Sequence, residues 1–243
     1  MTDRTIGTSP QTYARVGGVL YLIIIAIGLF GEAGVRGRVI VSGDAASTAA
    51  KLRTMESLWR FHIAAELVLL ICAVIVTWIL FFLLKPVSKE LVLLSVLFNL
   101  VSIGIEAVST MYLIVALFPL GKAGYLKAFT PEQLYALAYL AVKPHGYGFG
   151  VSLIFFGCFC VVIGYLIFRS GYFPKAIGIL MQIAGVCYLI NSFTLIAAPA
   201  LADRLFPAIL IPSFVGELSF ALYLTVQGVN VAKWRERAGA LAS

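Results

Sequence analysis

Charge is what this sequence lacks most. Only 12% of its 243 residues are Asp, Glu, Lys or Arg, and it holds just two histidines. A soluble domain is nearer a quarter charged. The shortage excludes an ordinary water-soluble fold, and 61% hydrophobic residues with a mean hydropathy of +1.01 point the same way. Cysteine is also scarce. Cys72, Cys158, Cys160 and Cys187 all fall within apolar runs and read as small apolar filler, so neither a disulfide framework nor a thiolate metal site is expected. The net charge of +7 is not gathered into a basic stripe with interleaved aromatics, which excludes nucleic acid as a partner. Scattered basic residues between apolar runs suit anionic lipid headgroups instead.

Catalytic signatures are missing too. There is no G-x-S-x-G and no H-E-x-x-H. PLGKAG lacks the lead-in of a phosphate-binding loop, and HGYGFG follows no strand, so a dinucleotide site fails its context test. With two histidines in all, a bis-histidine haem would need both His62 and His145, and nearby carboxylates make that reading poor.

What the sequence has is long apolar runs. Runs of about 18 or more residues are candidate transmembrane helices, and six are present: 13–33, 57–84, 88–118, 145–168, 174–198 and 208–232. Backbone groups in lipid must bond within their own segment, so these are helices. The fold class is all-α: a polytopic six-transmembrane-helix bundle. Residues 1–12 form a polar N-terminal tail, 13–234 a single transmembrane domain, and 235–243 a C-terminal tail. Lys85-Pro86, Pro119, Lys143-Pro144, Pro174 and Pro199 mark most boundaries. Short amphipathic helices are expected in loop one, where Asp44 offers an N-cap, and in loop three, opened by Thr130-Pro131-Glu132. The 18 basic residues divide nine and nine between the two faces. The short loops KPVSK and RSGYFPK and the KWRER tail give the terminal side the denser charge, which places both termini in the cytoplasm. The opposite face is called outer below.

The polar residues inside the spans are unevenly placed. At about 1.5 Å per residue, His62 and Glu66 lie roughly 8 and 14 Å below the outer end of their span. Glu106 lies about 18 Å below its outer end, Asn191 about 12 Å and Glu217 about 14 Å. Glu32 ends the first span at that face with Arg36 just outside it, and His145 opens the fourth, with Tyr147 two residues on. The inner halves, such as ICAVIVTWILFFLL, are almost purely apolar. An ionisable group in lipid costs about 2.5–3.5 kcal/mol even on the lenient insertion scale, so such groups face the bundle interior and pair. One polar cavity, open outward and sealed inward, is the expected result, lined by Glu32, Arg36, His62, Glu66, Glu106, His145, Tyr147, Asn191 and Glu217. Trp59, His62 and Glu66 share a stripe, while Arg60 points the other way.

Imidazole and carboxylate together suit zinc or iron, so His62, Glu66, His145 and Glu217 are metal candidates, against a purely structural network of paired charges. No other cofactor is indicated. The functional readings are a site for a small molecule, lipid headgroup or metal; a metal-assisted hydrolase of lipid-like substrates; a proton-coupled carrier; and a structural protein with paired buried charges.

VRGRVIVSGDAASTAA, the stretch from HGYGFG through LINSF, and VGELSFALYLTVQGVN resemble a family of bacterial membrane proteins, domain of unknown function 4386. The resemblance runs from about Ala14 to Trp234, and H-G-Y-G and F-R-S-G-Y are its most specific pieces. It implies a multi-pass protein of the bacterial inner membrane and brings no activity, cofactor or catalytic residue. Such proteins often carry an aspartate where this chain has Asn191, which leaves no acidic role for that position.

Overall fold

The computed structural model describes residues 9–240, so the first eight residues of the polar tail and the last three of the C-terminal tail lie outside the described residues. Among the described residues, six helices are long and apolar enough to cross a membrane. We number all helices longer than one turn in chain order. The spans are α1 (Pro10–Val39), α3 (Glu56–Leu84), α4 (Lys89–Val115), α5 (Pro131–Ser170), α6 (Lys175–Ala197) and α8 (Ile211–Val226). Two shorter helices lie between spans, α2 (Ala45–Thr54) and α7 (Pro199–Leu205), and a third, α9 (Val231–Gly239), follows the last.

The starts are capped by the residues that favour caps. Ser9 accepts from the Gln11 amide ahead of Pro10 in the first turn. Ser88 does the same for Leu91, and Asn230 for Lys233. Asp44 caps α2 by accepting from the side chain and amide of Ser47, which holds its carboxyl below the usual range. Thr130 and Gln133 form a reciprocal capping box at α5.

The boundary marked by Lys143-Pro144 is crossed without a break: α5 is a single helix of 40 residues, about 60 Å long and twice the hydrocarbon thickness. Proline costs the helix one hydrogen bond, and packing offsets it here. Ala138 and Val142 are buried just before Pro144, and α2 lies against this outer extension. Gly43 donates its amide to the Tyr139 hydroxyl at 2.8 Å, and Arg53 lies over the Tyr135 ring. The amphipathic stretch of loop three is therefore the first part of the fourth span. At the other end of the chain α8 stops at Val226, and Gly228, at φ +73°, turns the backbone into α9.

The spans form a ring in chain order. α1 packs on α3, α3 on α4, α4 on α5, α5 on α6 and α6 on α8, and α8 returns to α1. The α5–α6 seam is a close approach of two backbones. A side chain at Gly164 would sit 2.6 Å from the Gly178 carbonyl, and one at Gly157 would sit 2.9 Å from that of Gly185. Both pairs repeat at seven residues, so small residues let two backbones meet twice along one line. The outside of the ring is apolar: Ile71, Trp78, Val108, Met111, Phe193 and Val226 are exposed, as lipid requires.

Two apolar layers fill the ends. On the terminal side Ile79, Leu80, Leu83, Ile163, Leu166, Phe220 and Leu224 pack together. There the Leu83 carbonyl accepts from Tyr172 and Trp234. On the outer side Val35, Val39, Leu52, Trp59, Leu113 and Val142 pack around the indole of Trp59, which donates to the Leu113 carbonyl at 2.9 Å.

Candidate functional site

Between these layers the ring is not filled by side chains. A cavity of about 830 Å³ is lined by residues from all six spans. Its lining at the outer end includes Ile40, Tyr139, Lys143, Asp203 and Phe206. At the inner end Tyr21, Val76 and Phe159 belong both to its wall and to the apolar layer beneath.

The outer half of the cavity wall holds a charged cluster centred on Arg36. This residue ends the π-helical segment Phe30–Arg36 of α1, a wider winding that is rare and often sits at functional sites. Arg36 is 7% exposed and has three partners. Its Nε donates to Glu32 Oε2 at 3.0 Å, and Nη2 meets the same oxygen. Its Nη1 reaches inward, 3.1 Å from Glu66 Oε1 and 3.2 Å from His145 Nε2. A guanidinium only donates, so His145 Nε2 is the acceptor and the ring proton sits on Nδ1. The far oxygen of Glu66 accepts from Thr110 at 3.4 Å. Glu106, one helical turn before Thr110, accepts from Ser152 at 3.1 Å and lies 3.9 Å from His145. One donor atom each from Glu66, Glu106 and His145 lie within 4.8 Å of one another.

His62 stands just behind this cluster. It is fully buried, its Nε2 is 3.5 Å from Glu66 Oε1, and neither ring nitrogen has a hydrogen-bond partner. It is not part of the cavity wall. The absence of a side chain at Gly31 makes room for it: a Cβ there would lie 2.9 Å from His62 Nδ1.

A second centre lies on the same cavity. Glu217 of α8 is 7% exposed and accepts from two phenols, Tyr21 of α1 at Oε2 (2.9 Å) and Tyr188 of α6 at Oε1. The Ser213 hydroxyl, one turn earlier, donates to the Ala184 carbonyl at 3.0 Å and is committed to helix packing. Deeper in the wall, Asn99 donates to Thr77 at 2.6 Å between α3 and α4.

Of the nine residues expected to line one cavity, seven do so: Glu32, Arg36, Glu66, Glu106, His145, Asn191 and Glu217. His62 is adjacent and Tyr147 is elsewhere. Tyr147 is 54% exposed and faces a shallow outward groove with Lys143, Pro144 and Tyr112. Two residues beyond His145 on a helix means about 200° around it, so the two side chains cannot face the same way. Thr110, Ser152 and Tyr21 were not singled out by the sequence. The first two carry a legible signal, since Thr110 is four residues from Glu106 and Ser152 seven from His145, each on its partner's face. Tyr21 carries none, because one tyrosine in an apolar run has no marked face.

Chemically, the buried Glu66 and the largely buried Glu106, with the exposed Glu32 at the rim, outnumber the one guanidinium, so the cluster carries formal negative charge in excess. Such a site takes up protons or a cation, or offers hydrogen-bond acceptors to a guest.

A family model described as Domain of unknown function (DUF4386) matches residues 16–228. The chain is also similar to a curated protein of Archaeoglobus fulgidus described as an uncharacterized protein, with 30% identity over 177 residues covering 71% of this chain and 87% of the relative. That relative is archaeal. No solved structure matches.

Proposed function

Because the chain belongs to this family of unknown function, its role has to be read from geometry, and we propose that it is a membrane-embedded binding protein whose ring of six helices holds an amphiphilic small molecule or lipid headgroup. The observation that carries this is the cavity: about 830 Å³, walled by every span and containing Glu66, Glu106, His145 and Glu217. That volume lies within the range of small-molecule sites, which are mostly apolar with a few convergent polar groups. A purely structural network would fill its ring with side chains, as both end layers do. We assign it to the cell membrane with its termini in the cytoplasm, on the charge density of KPVSK, RSGYFPK and KWRER.

A second reading, a metal ion, is favoured by the spacing of Glu66, Glu106 and His145. Carboxylate and imidazole donors would suit zinc, iron or manganese. Arg36 Nη1 already occupies lone pairs on Glu66 and His145, so a metal would have to displace it. Less supports the hydrolase and the carrier: Ser213 is engaged with backbone, and the inner layer is closed and apolar.

One preparation tests both readings. Protein purified in mild detergent is examined by native mass spectrometry and elemental analysis. A non-covalent organic adduct is expected on the wild type and absent from Gly146→Phe, since Gly146 lines the cavity and has open space at its Cβ. A folded wild type without an adduct, or an adduct that persists in Gly146→Phe, would sink the binding reading. Stoichiometric metal lost in Glu106→Gln would replace it with the metal reading.

A further inference from the structure

The two polar centres of the cavity differ in one respect. Glu66 has the Arg36 guanidinium, and Glu106 faces His145. Glu217 has only neutral phenols: among the described residues no cationic side chain lies within 4 Å of it. Tyr21 and Tyr188 each hold a different oxygen, which fixes the carboxylate and leaves acceptor capacity on both atoms. The cavity wall carries the rings of Tyr21, Phe149, Phe156, Phe159, Tyr188 and Phe214, and of these Tyr21 and Tyr188 touch Glu217 directly. Phe156 and Tyr188 meet edge to face at 5.5 Å.

We propose that the inner end of the cavity is a site for a lipophilic organic cation, a quaternary ammonium or phosphonium, held by Glu217 within this aromatic wall. The proposal rests on the chamber reading above and names its ligand class. A fixed carboxylate supplies the charge, and ring faces attract a cation without hydrogen bonds. A small inorganic ion is a poor fit. It would have to shed its water for a single carboxylate, since the other acidic residues of the cavity lie in the Arg36 cluster or, as Asp203, at the outer end. An organic cation is weakly hydrated, and its apolar substituents fill the remaining volume. An anion of the same shape meets only the carboxylate's repulsion.

The test measures equilibrium binding of radiolabelled tetraphenylphosphonium to the purified full chain, with tetraphenylborate as the anion of matching shape. Saturable binding of the phosphonium and none of the borate is expected. Glu217→Gln should weaken it by about tenfold or more, the scale of one desolvated cation contact, and Glu217→Asp should restore part of the loss. Borate binding as tight as phosphonium binding, or no saturable phosphonium binding to the wild type, overturns the proposal, and neither result depends on a variant folding. If Gly146→Phe abolishes phosphonium binding while Glu217→Gln binds like wild type, the chamber stands and the cation assignment falls. If the wild type also carries no organic adduct, both fall. Nanodiscs separate the sources. Weaker phosphonium binding in phosphatidylcholine than in phosphatidylethanolamine discs, which match in net charge, identifies a choline headgroup as the occupant, and equal binding identifies a freely diffusing cation; either supports the cation chemistry.

Discussion

Arg36 is the residue on which the outer half of the site turns. It is buried, and with its three hydrogen-bond partners it links α1, α3 and α5. Removing it leaves Glu66 without its cation in a low-dielectric setting, a change that costs about 3–5 kcal/mol when one member of a buried pair is lost. Arg36→Met should therefore lower stability by that amount in detergent unfolding, and Arg36→Met with Glu66→Gln should recover most of it. Single and double variants that unfold alike would show that the pair is not coupled. The acidic residues of this cluster were legible because charge within an apolar run is conspicuous and depth follows from counting. Tyr21 was not, because nothing in VGGVLYLI distinguishes its phenol from a neighbour that only packs. His62 was expected to line the cavity and stands behind its wall, a difference of side-chain direction that spacing along one helix does not resolve.

Among the elements, α5 is the backbone of the bundle. It packs against α4 and α6 and carries α2 on its outer extension. At its seam with α6, Gly164 faces the Gly178 carbonyl and the Gln182 amide, both backbone and unable to yield. Gly164→Leu should separate the helices and cost about 1–3 kcal/mol or more, as overpacking does, seen as loss of the monodisperse peak or a lowered Tm. Gly124→Ala, at an open position, is the control and should change neither. Equal behaviour of the two would show that the seam is not tightly packed. Helix existence was readable from run length and caps such as Thr130-Pro131. The continuity of α5 through Pro144 was not, because it depends on α2, a partner ninety residues upstream. The π-helical turn at Phe30–Arg36 was equally hidden, since no local residue preference specifies it.

At the scale of the whole molecule, six spans put both flanks of the bundle on one side. In a cysteine-free background, Ser47→Cys and Lys122→Cys should react with an impermeant maleimide from one side of the membrane, and Lys89→Cys and Arg235→Cys from the other. Labelling of positions 47 and 89 from the same side would break the six-span topology. That topology was fixed by composition alone, while the circular order of the spans was not, since neighbours across a ring leave no trace in a linear pattern.

The ring order also bears on how the protein is made. Each new hairpin can dock on the one before it as the chain leaves the ribosome, until α8 must find α1. Glu217 is delivered with that last segment, and Tyr21 has been waiting since the first. The bond between them can form only when the circle shuts, so the acid that we assign to the guest also latches the finished barrel of helices.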